Sequence, residues 1–370
     1  MRHALPVVLI ASLAALPPAE GQKAAKAPRE NVLTDWLDAA DIHPPVAVGA
    51  LTVFPVSVRD RPRLGGLLTL DEALRKELLV IEELPDAQVG RARFINRSGE
   101  RMIFLMAGEV ITGGKQNRTL TTDALLAPDS TTVLDLYCVQ KGRWKGRRKF
   151  APANTIAPQA VREKAAQKAG QNAVWSEVAR ANRRMGVVSP SGDLGAAMTS
   201  PDNLKRLTAL RRRVVAKLPE RAAGVVVACG RQIVGADLFN SDDLFSAMRR
   251  KVLDSYLSQF ALGDAEDARP GDAPGQKDVQ AYLQACYRAR FTPGPMRGVG
   301  RIHHVRGARH GETLAYARPV RAPTKSRKPA PVRRHMVHTA LMRRVLPVRP
   351  GPVPVPRPGP PPRRMPHRNR

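Results

Sequence analysis

The sequence predicts an α+β domain: an antiparallel β-sheet or sandwich core, then a helical segment with a strand pair, then a disordered, basic, proline-rich C-terminal tail. Three observations carry that class. Residues 88–139 alternate short apolar runs with turn signals roughly every ten residues, as antiparallel strands do. Residues 158–290 carry apolar side chains at helical spacing, interrupted by a pair of continuous apolar runs near Cys229. Beyond about residue 320, arginine and proline dominate, a composition that buries no core.

The N-terminus opens with Arg2 and His3, then an apolar run from Ala4 to Leu16. The run is too short to span a bilayer, and Ala19 and Gly21 sit where a signal peptidase reads small residues. Residues 1–21 are expected to be a cleaved signal, making the protein exported, periplasmic or extracellular. Residues 22–45 read as a mobile lead-in.

The domain is expected over 46–290, β-rich to 144 and helix-rich from 158. Residues 46–58 read as one strand, with Pro55 marking an edge or bulge. Thr69 and Glu72 form a capping box, and Leu70, Leu74 and Leu78 give the following helix its apolar side. Strand-like stretches follow through "RARFIN", "RMIFLMAGEVI", "RTLTTDALL" and "TTVLDLYCV". Residues 158–183 read as a helix. Ser200-Pro201 starts another, with a cap and a proline at its first position. Cys229-Gly230-Arg231-Gln232 reads as a tight hairpin. Ser241 caps a helix whose Leu244, Phe245, Met248, Val252, Tyr256 and Phe260 form one stripe. A last short helix is expected near Val279. Residues 291–320 are left as an extension without assigned structure, and 321–370 as the disordered tail.

Net charge is +29, and its placement matters. From Arg288 onward there are 21 Lys or Arg and one acid, Glu312. The charge therefore speaks of the C-terminal stretch, which suits an anionic surface or polymer. Nucleic acid is not the partner expected of an exported chain. No later stretch reaches the length of a transmembrane helix.

The richest chemistry lies in "GEVITGGKQNRTL", residues 108–120. Gly113 and Gly114 let backbone approach a ligand closely. Lys115 and Arg118 offer cationic donors; Gln116 and Asn117 offer amides. Glu109 is placed to act as acid or base. The set suits a small anionic ligand such as a phosphate. It equally suits a loop that ties strands together. Cys138 to Trp144, "CVQKGRW", closes the later strand and is expected near the turn, bringing Gln140, Arg143 and Trp144 to the same face. Trp144 and Trp175 are read as core, Trp144 alternatively as a surface side chain that stacks on a base or a cation, and Asp237 as a cap or turn residue.

The order "GE…GGKQNR…CVQKGRW", with "GRQIVGADLF" at Gly230–Phe239, resembles the ARG and rhodanese-phosphatase-superfamily-associated protein domain, over roughly residues 48 to 290. Gln140 stands where that family usually has Glu, an amide in place of an acid. The family has no established activity. Its name implies neighbourhood with ADP-ribosylglycohydrolases, hence recognition of an ADP-ribose-like or nucleotide-like molecule. The leading expectation is a ligand-binding domain. A hydrolase using Glu109 and a non-enzymatic scaffold are the alternatives.

Other chemistries lack their signatures. Lys115 is followed by Gln, so the turn is not a P-loop. There is no G-x-S-x-G, H-E-x-x-H or C-x-x-C. His303, His304 and His310 form no metal set, since adjacent residues of a regular element face opposite ways. Neither a metal nor a cofactor is expected.

Overall fold

The computed structural model describes residues 31–59, 63–85, 90–144, 146, 149–262, 273–307, 310–319 and 332–342. The signal expected over residues 1–21, and the parts of the expected tail at 321–331 and 343–370, lie outside them. The first half runs α1 (Val32–Leu37), β1 (Ala40–Ile42), β2 (Val46–Val48), β3 (Leu51–Val58), β4 (Leu68–Thr69), α2 (Leu70–Arg75), β5 (Leu79–Glu83), β6 (Arg91–Asn96), β7 (Ile103–Leu105), β8 (Glu109–Gly113), β9 (Arg118–Leu120), β10 (Ala124–Leu126), β11 (Ser130–Cys138) and β12 (Phe150–Ile156). The second runs α3 (Gln159–Ala166), α4 (Gln171–Arg184), α5 (Leu194–Met198), α6 (Pro201–Val215), β13 (Ala222–Cys229), β14 (Gln232–Phe239), α7 (Asp242–Phe260), α8 (Gln276–Gln284), β15 (Arg290–Arg297), β16 (Gly300–Arg306), β17 (His310–Pro319) and β18 (Val332–Met342). The α+β class is as predicted.

One sheet has the order β1-β3-β13-β14-β18-β17-β16-β15, with β2 also on β3. A second has the order β12-β8-β9-β11-β6-β5, and a small third the order β10-β7-β4. The large sheet is covered on both faces. Val225 and Val227 pack with α7, whereas Val226 and Ala228 pack with α1 and α8. Burial on two faces explains why β13 reads as an unbroken apolar run rather than alternating.

The capping box is present, with Thr69 and Glu72 bonded reciprocally. Ser200 and Ser241 cap α6 and α7 as expected. The hairpin at Gly230-Arg231 joins β13 to β14.

Several expectations are corrected. The lead-in is structured from Val32: Leu33 and Trp36 are buried, and Trp36 Nε1 donates to Phe239 O at 3.0 Å. Residues 46–58 are two strands, and β3 lies inside the sheet between β1 and β13. Pro55 is tolerated there because it falls at the step from β1 to β2, where its carbonyl accepts from His43 N–H. The helix after Thr69 ends at Arg75. Glu77 turns left-handed at φ 58°, and Leu79 begins a strand. The helix of 158–183 is two helices, broken by Lys168 and Gly170 at positive φ.

The largest correction concerns the C-terminal stretch. Residues 290–319 form three strands, and 332–342, assigned to the disordered tail, form β18 between β14 and β17. Its residues from His335 to Met342 are buried. A strand needs only a short apolar run, and "HMVHTALM" supplies one inside the arginine-rich composition.

Candidate functional site

The turn between β8 and β9 faces protein. Asn117 Oδ1 accepts from Gly113 N–H at 3.1 Å and from Arg143 at 3.0 Å; its Nδ2 donates to Asp193 at 3.0 Å. Gln140 Oε1 accepts from Asn117 N–H at 3.3 Å and Arg143 Nε at 2.7 Å. Arg143 also donates to the carbonyls of Gly113 and Gly114. Gln116 Nε2 donates to the carbonyls of Gln140 and Lys141. Arg118 is buried, with Glu83 at 3.1 Å and Cys138 Sγ at 3.4 Å. Gly113 has φ 114°, and a Cβ there would meet Lys149 O at 2.6 Å. These residues tie β8, β9 and the segment after β11 into one polar core.

Of the predicted set, the structure brings together Gly113, Gly114, Gln116, Asn117, Gln140 and Arg143, with Arg118 and Cys138 adjoining. Lys115 is exposed, and its backbone N–H donates to Glu83 at 2.7 Å. Trp144, read as core, is 55% exposed.

Glu109 lies elsewhere. It is fully buried, bonded to Lys251, which also meets Asp71 at 2.5 Å. Burial pushes the Glu109 carboxyl up, with Asp71 adding to the effect against the pull of Lys251. Burial opposes the Lys251 charge, but the two carboxylates outweigh it and raise its pKa. The glycine before Glu109 has its own reason. Gly108 sits at φ 88°, and a Cβ would stand 2.3 Å from Arg162 Cγ. Gly108 thus gives passage to Arg162, which grips Asp237 with two bonds of 2.7 and 3.0 Å, both residues fully buried.

Asp237 begins a buried relay. Its Oδ1 lies 3.2 Å from His338 Nε2, and His338 Nδ1 lies 2.6 Å from Asp123 Oδ2. Burial opposes the imidazolium, but Asp123 and Asp237 outweigh burial and lift its pKa to about 9. Burial would likewise raise the Asp237 carboxyl; Arg162 and His338 hold it well below the usual range. Asp237 is therefore a core ion, not the cap or turn residue expected.

Asp123 is also in the wall of a cleft of about 170 Å³. Glu163 of α3 and Gln167 at its C-cap, His304 and Arg306 of β16, His310 and Glu312 of β17 and Met342 of β18 complete much of it. Glu312 meets His304 Nδ1 at 3.2 Å and accepts from Thr122 Oγ1 at 3.2 Å. Gln167 Nε2 donates to Glu163 at 2.9 Å. Among the described residues, no group of three or more His, Cys, Asp or Glu is arranged to hold a metal. Local sequence carries no sign of this cleft. Its residues come from four distant stretches, one of them inside the segment that composition assigns to the tail.

Among known families, the profile of the ARG and Rhodanese-Phosphatase-superfamily-associated Protein domain matches residues 39–326. No curated protein and no solved structure matches the chain. Among the described residues, no helix is long and apolar enough to cross a membrane.

Proposed function

This chain belongs to the ARG and Rhodanese-Phosphatase-superfamily-associated Protein domain family, and on that premise we propose that it binds a small phosphate-bearing or nucleotide-like molecule. The seat we assign is the cleft beside Asp123, not the Gly113–Arg118 turn. One observation carries this reading: distant stretches of chain converge to line a single cavity with both acids and cations. Glu163 and Glu312 are acceptors for sugar hydroxyls. Arg306 and His310 offer donors to a phosphate, Arg306 through its planar fork. Val305, Ala340 and Met342 give an apolar wall. The volume suits a ribose phosphate, or that part of a larger nucleotide.

The turn supports the scaffold alternative instead, because Gln116, Asn117, Arg118 and Arg143 already bond to protein. A hydrolase working through Glu109 has no comparable support, since that carboxylate is fully buried against Lys251.

Calorimetry and thermal shift with ribose 5-phosphate, AMP and ADP-ribose test the seat. We expect a wild-type response that Arg306→Ala and Glu312→Gln each weaken and Lys115→Ala leaves intact. No wild-type response to any of the three ligands would sink the binding reading. Loss in Lys115→Ala alone would return the ligand to the turn.

Export is proposed as well, supported by the apolar run from Ala4 to Leu16 behind Arg2 and His3. The mass of the protein purified from its host should place the mature start near Gln22. Intact Met1 in a soluble cytoplasmic fraction would exclude it.

A further inference from the structure

The turn network holds a second feature in place. Arg143 spends its guanidinium on Gly113 O, Gly114 O, Asn117 and Gln140, and the next residue, Trp144, stands 55% exposed. The loop from Gly186 to Gly192 lies against it. Gly142 N–H donates to Ser191 O at 2.8 Å, and Gln140 Nε2 to Ser191 Oγ at 3.2 Å. On that second loop Val188 is 94% exposed. Two large apolar side chains are thus displayed on neighbouring loops tied by hydrogen bonds at their base.

In sequence, residues 141–149 and 183–192 contain eight Lys or Arg and no acid, Lys145, Arg147 and Arg148 among them lying outside the described residues. In the fold, Glu82 of β5 is bridged to Lys149, and Glu83 accepts from the Lys115 N–H of the adjoining turn. Lys141, Lys149 and Arg183 are exposed. The nearest acid in sequence, Asp193, is turned inward to Asn117 and to the N-terminus of α5.

We infer that the Trp144–Val188 loops are a docking surface for an anionic lipid bilayer. Indole side chains favour the headgroup boundary, and neighbouring cations draw the surface to anionic lipid. A polyanion such as nucleic acid would use the cations and stack on the indole. It would have no use for an aliphatic side chain standing almost wholly in water, and Val188 favours the bilayer. This surface is independent of the ligand cleft.

The test is flotation of the full-length protein with vesicles of phosphatidylcholine alone, or mixed with phosphatidylglycerol, at low and high salt. Binding is expected to the anionic vesicles and to fall with salt. Trp144→Ser with Val188→Ser should weaken it at least about tenfold, from the apolar area lost. Arg183→Ala should weaken it about fivefold, the usual share of one cation near a charged membrane. Thermal unfolding of each variant should match wild type, because the replaced side chains are exposed. If the double variant still bound anionic vesicles as wild type does, the affinity would belong to the basic C-terminal stretch and the inference would fall. It would fall equally if heparin or a single-stranded oligonucleotide bound more tightly than vesicles and Val188→Ser changed nothing.

Discussion

Stability should decline on the alkaline side of neutrality because one buried histidine loses its proton. His338 is fully buried between Asp123 and Asp237, and its pKa rises from an ordinary 6.5 to about 9. A group whose folded pKa is raised stabilises fully below its unfolded value and ceases to do so as pH climbs through the folded one. The window is therefore about pH 6.5 to 9. A rise of that size corresponds to roughly 3 kcal/mol, a large part of the stability of an ordinary domain. Tyr256 and Arg162, which pack around the Asp237 carboxylate, stay outside the window. Burial, with Asp237 beside it, raises the Tyr256 hydroxyl well above its ordinary value, and Arg162 remains charged.

Urea unfolding followed by circular dichroism at about pH 6, 7.5 and 9 measures the slope. His338→Gln should be less stable than wild type at the lowest pH and should flatten the profile above it. A flat wild-type profile, or an equal slope in the variant, would show that His338 is not held as an imidazolium in the fold. At the acid end the sign reverses. Asp237 is held below the usual carboxylate range, so its contribution is present above about pH 4 and is lost as pH falls towards its folded value.

Asn117→Ala should lower unfolding free energy by about 1 to 3 kcal/mol, since it leaves buried partners unsatisfied, while Lys115→Ala should stay within about 0.5 kcal/mol; denaturant titration of both separates a scaffold from an exposed turn. Gly108→Ala should cost well over 1 kcal/mol, because a Cβ would collide with Arg162 Cγ and strain a φ of 88°; an unchanged melting temperature would contradict that contact. A chain ending at residue 331 should lose cooperative unfolding, because β14 and β17 would lose the strand between them; a normal calorimetric transition would show that β18 is dispensable.

Much of the fold was legible because its signals are local. The Thr69–Glu72 box, the caps at Ser200 and Ser241 and the hairpin at Gly230-Arg231 are each written in a few neighbouring residues. What escaped had weak local signals. Leu79 to Glu83 continues the apolar spacing of α2, and only the left-handed Glu77 separates helix from strand. β18 was masked by its surroundings: a window of Arg and Pro overruled eight residues, His335–Met342, that are buried in the structure. Composition averaged over fifty residues cannot see a strand of eleven.

The site was harder to read, for a physical reason. A turn rich in Gly, Lys, Gln, Asn and Arg has the donors an anion needs. Those donors are also what a polar core needs where strand ends and loops must satisfy buried carbonyls. Spacing does not separate the two uses; only the direction of the side chains does. Here Arg143 and Gln116 turn toward backbone carbonyls, and Arg118 toward Glu83. The motif's chemistry is consumed in holding the loops beside it. Its consequence is then found at Trp144, the one apolar side chain of "CVQKGRW" that the network leaves exposed. Replacing Asn117 or Gln140 should therefore loosen Trp144, and proteolysis at the lysines and arginines of 141–149 should quicken in those variants before global unfolding does. If cleavage there kept pace only with global unfolding, the network would stabilise the fold without organising the loop, and Trp144 would owe its exposure to nothing but a surface position.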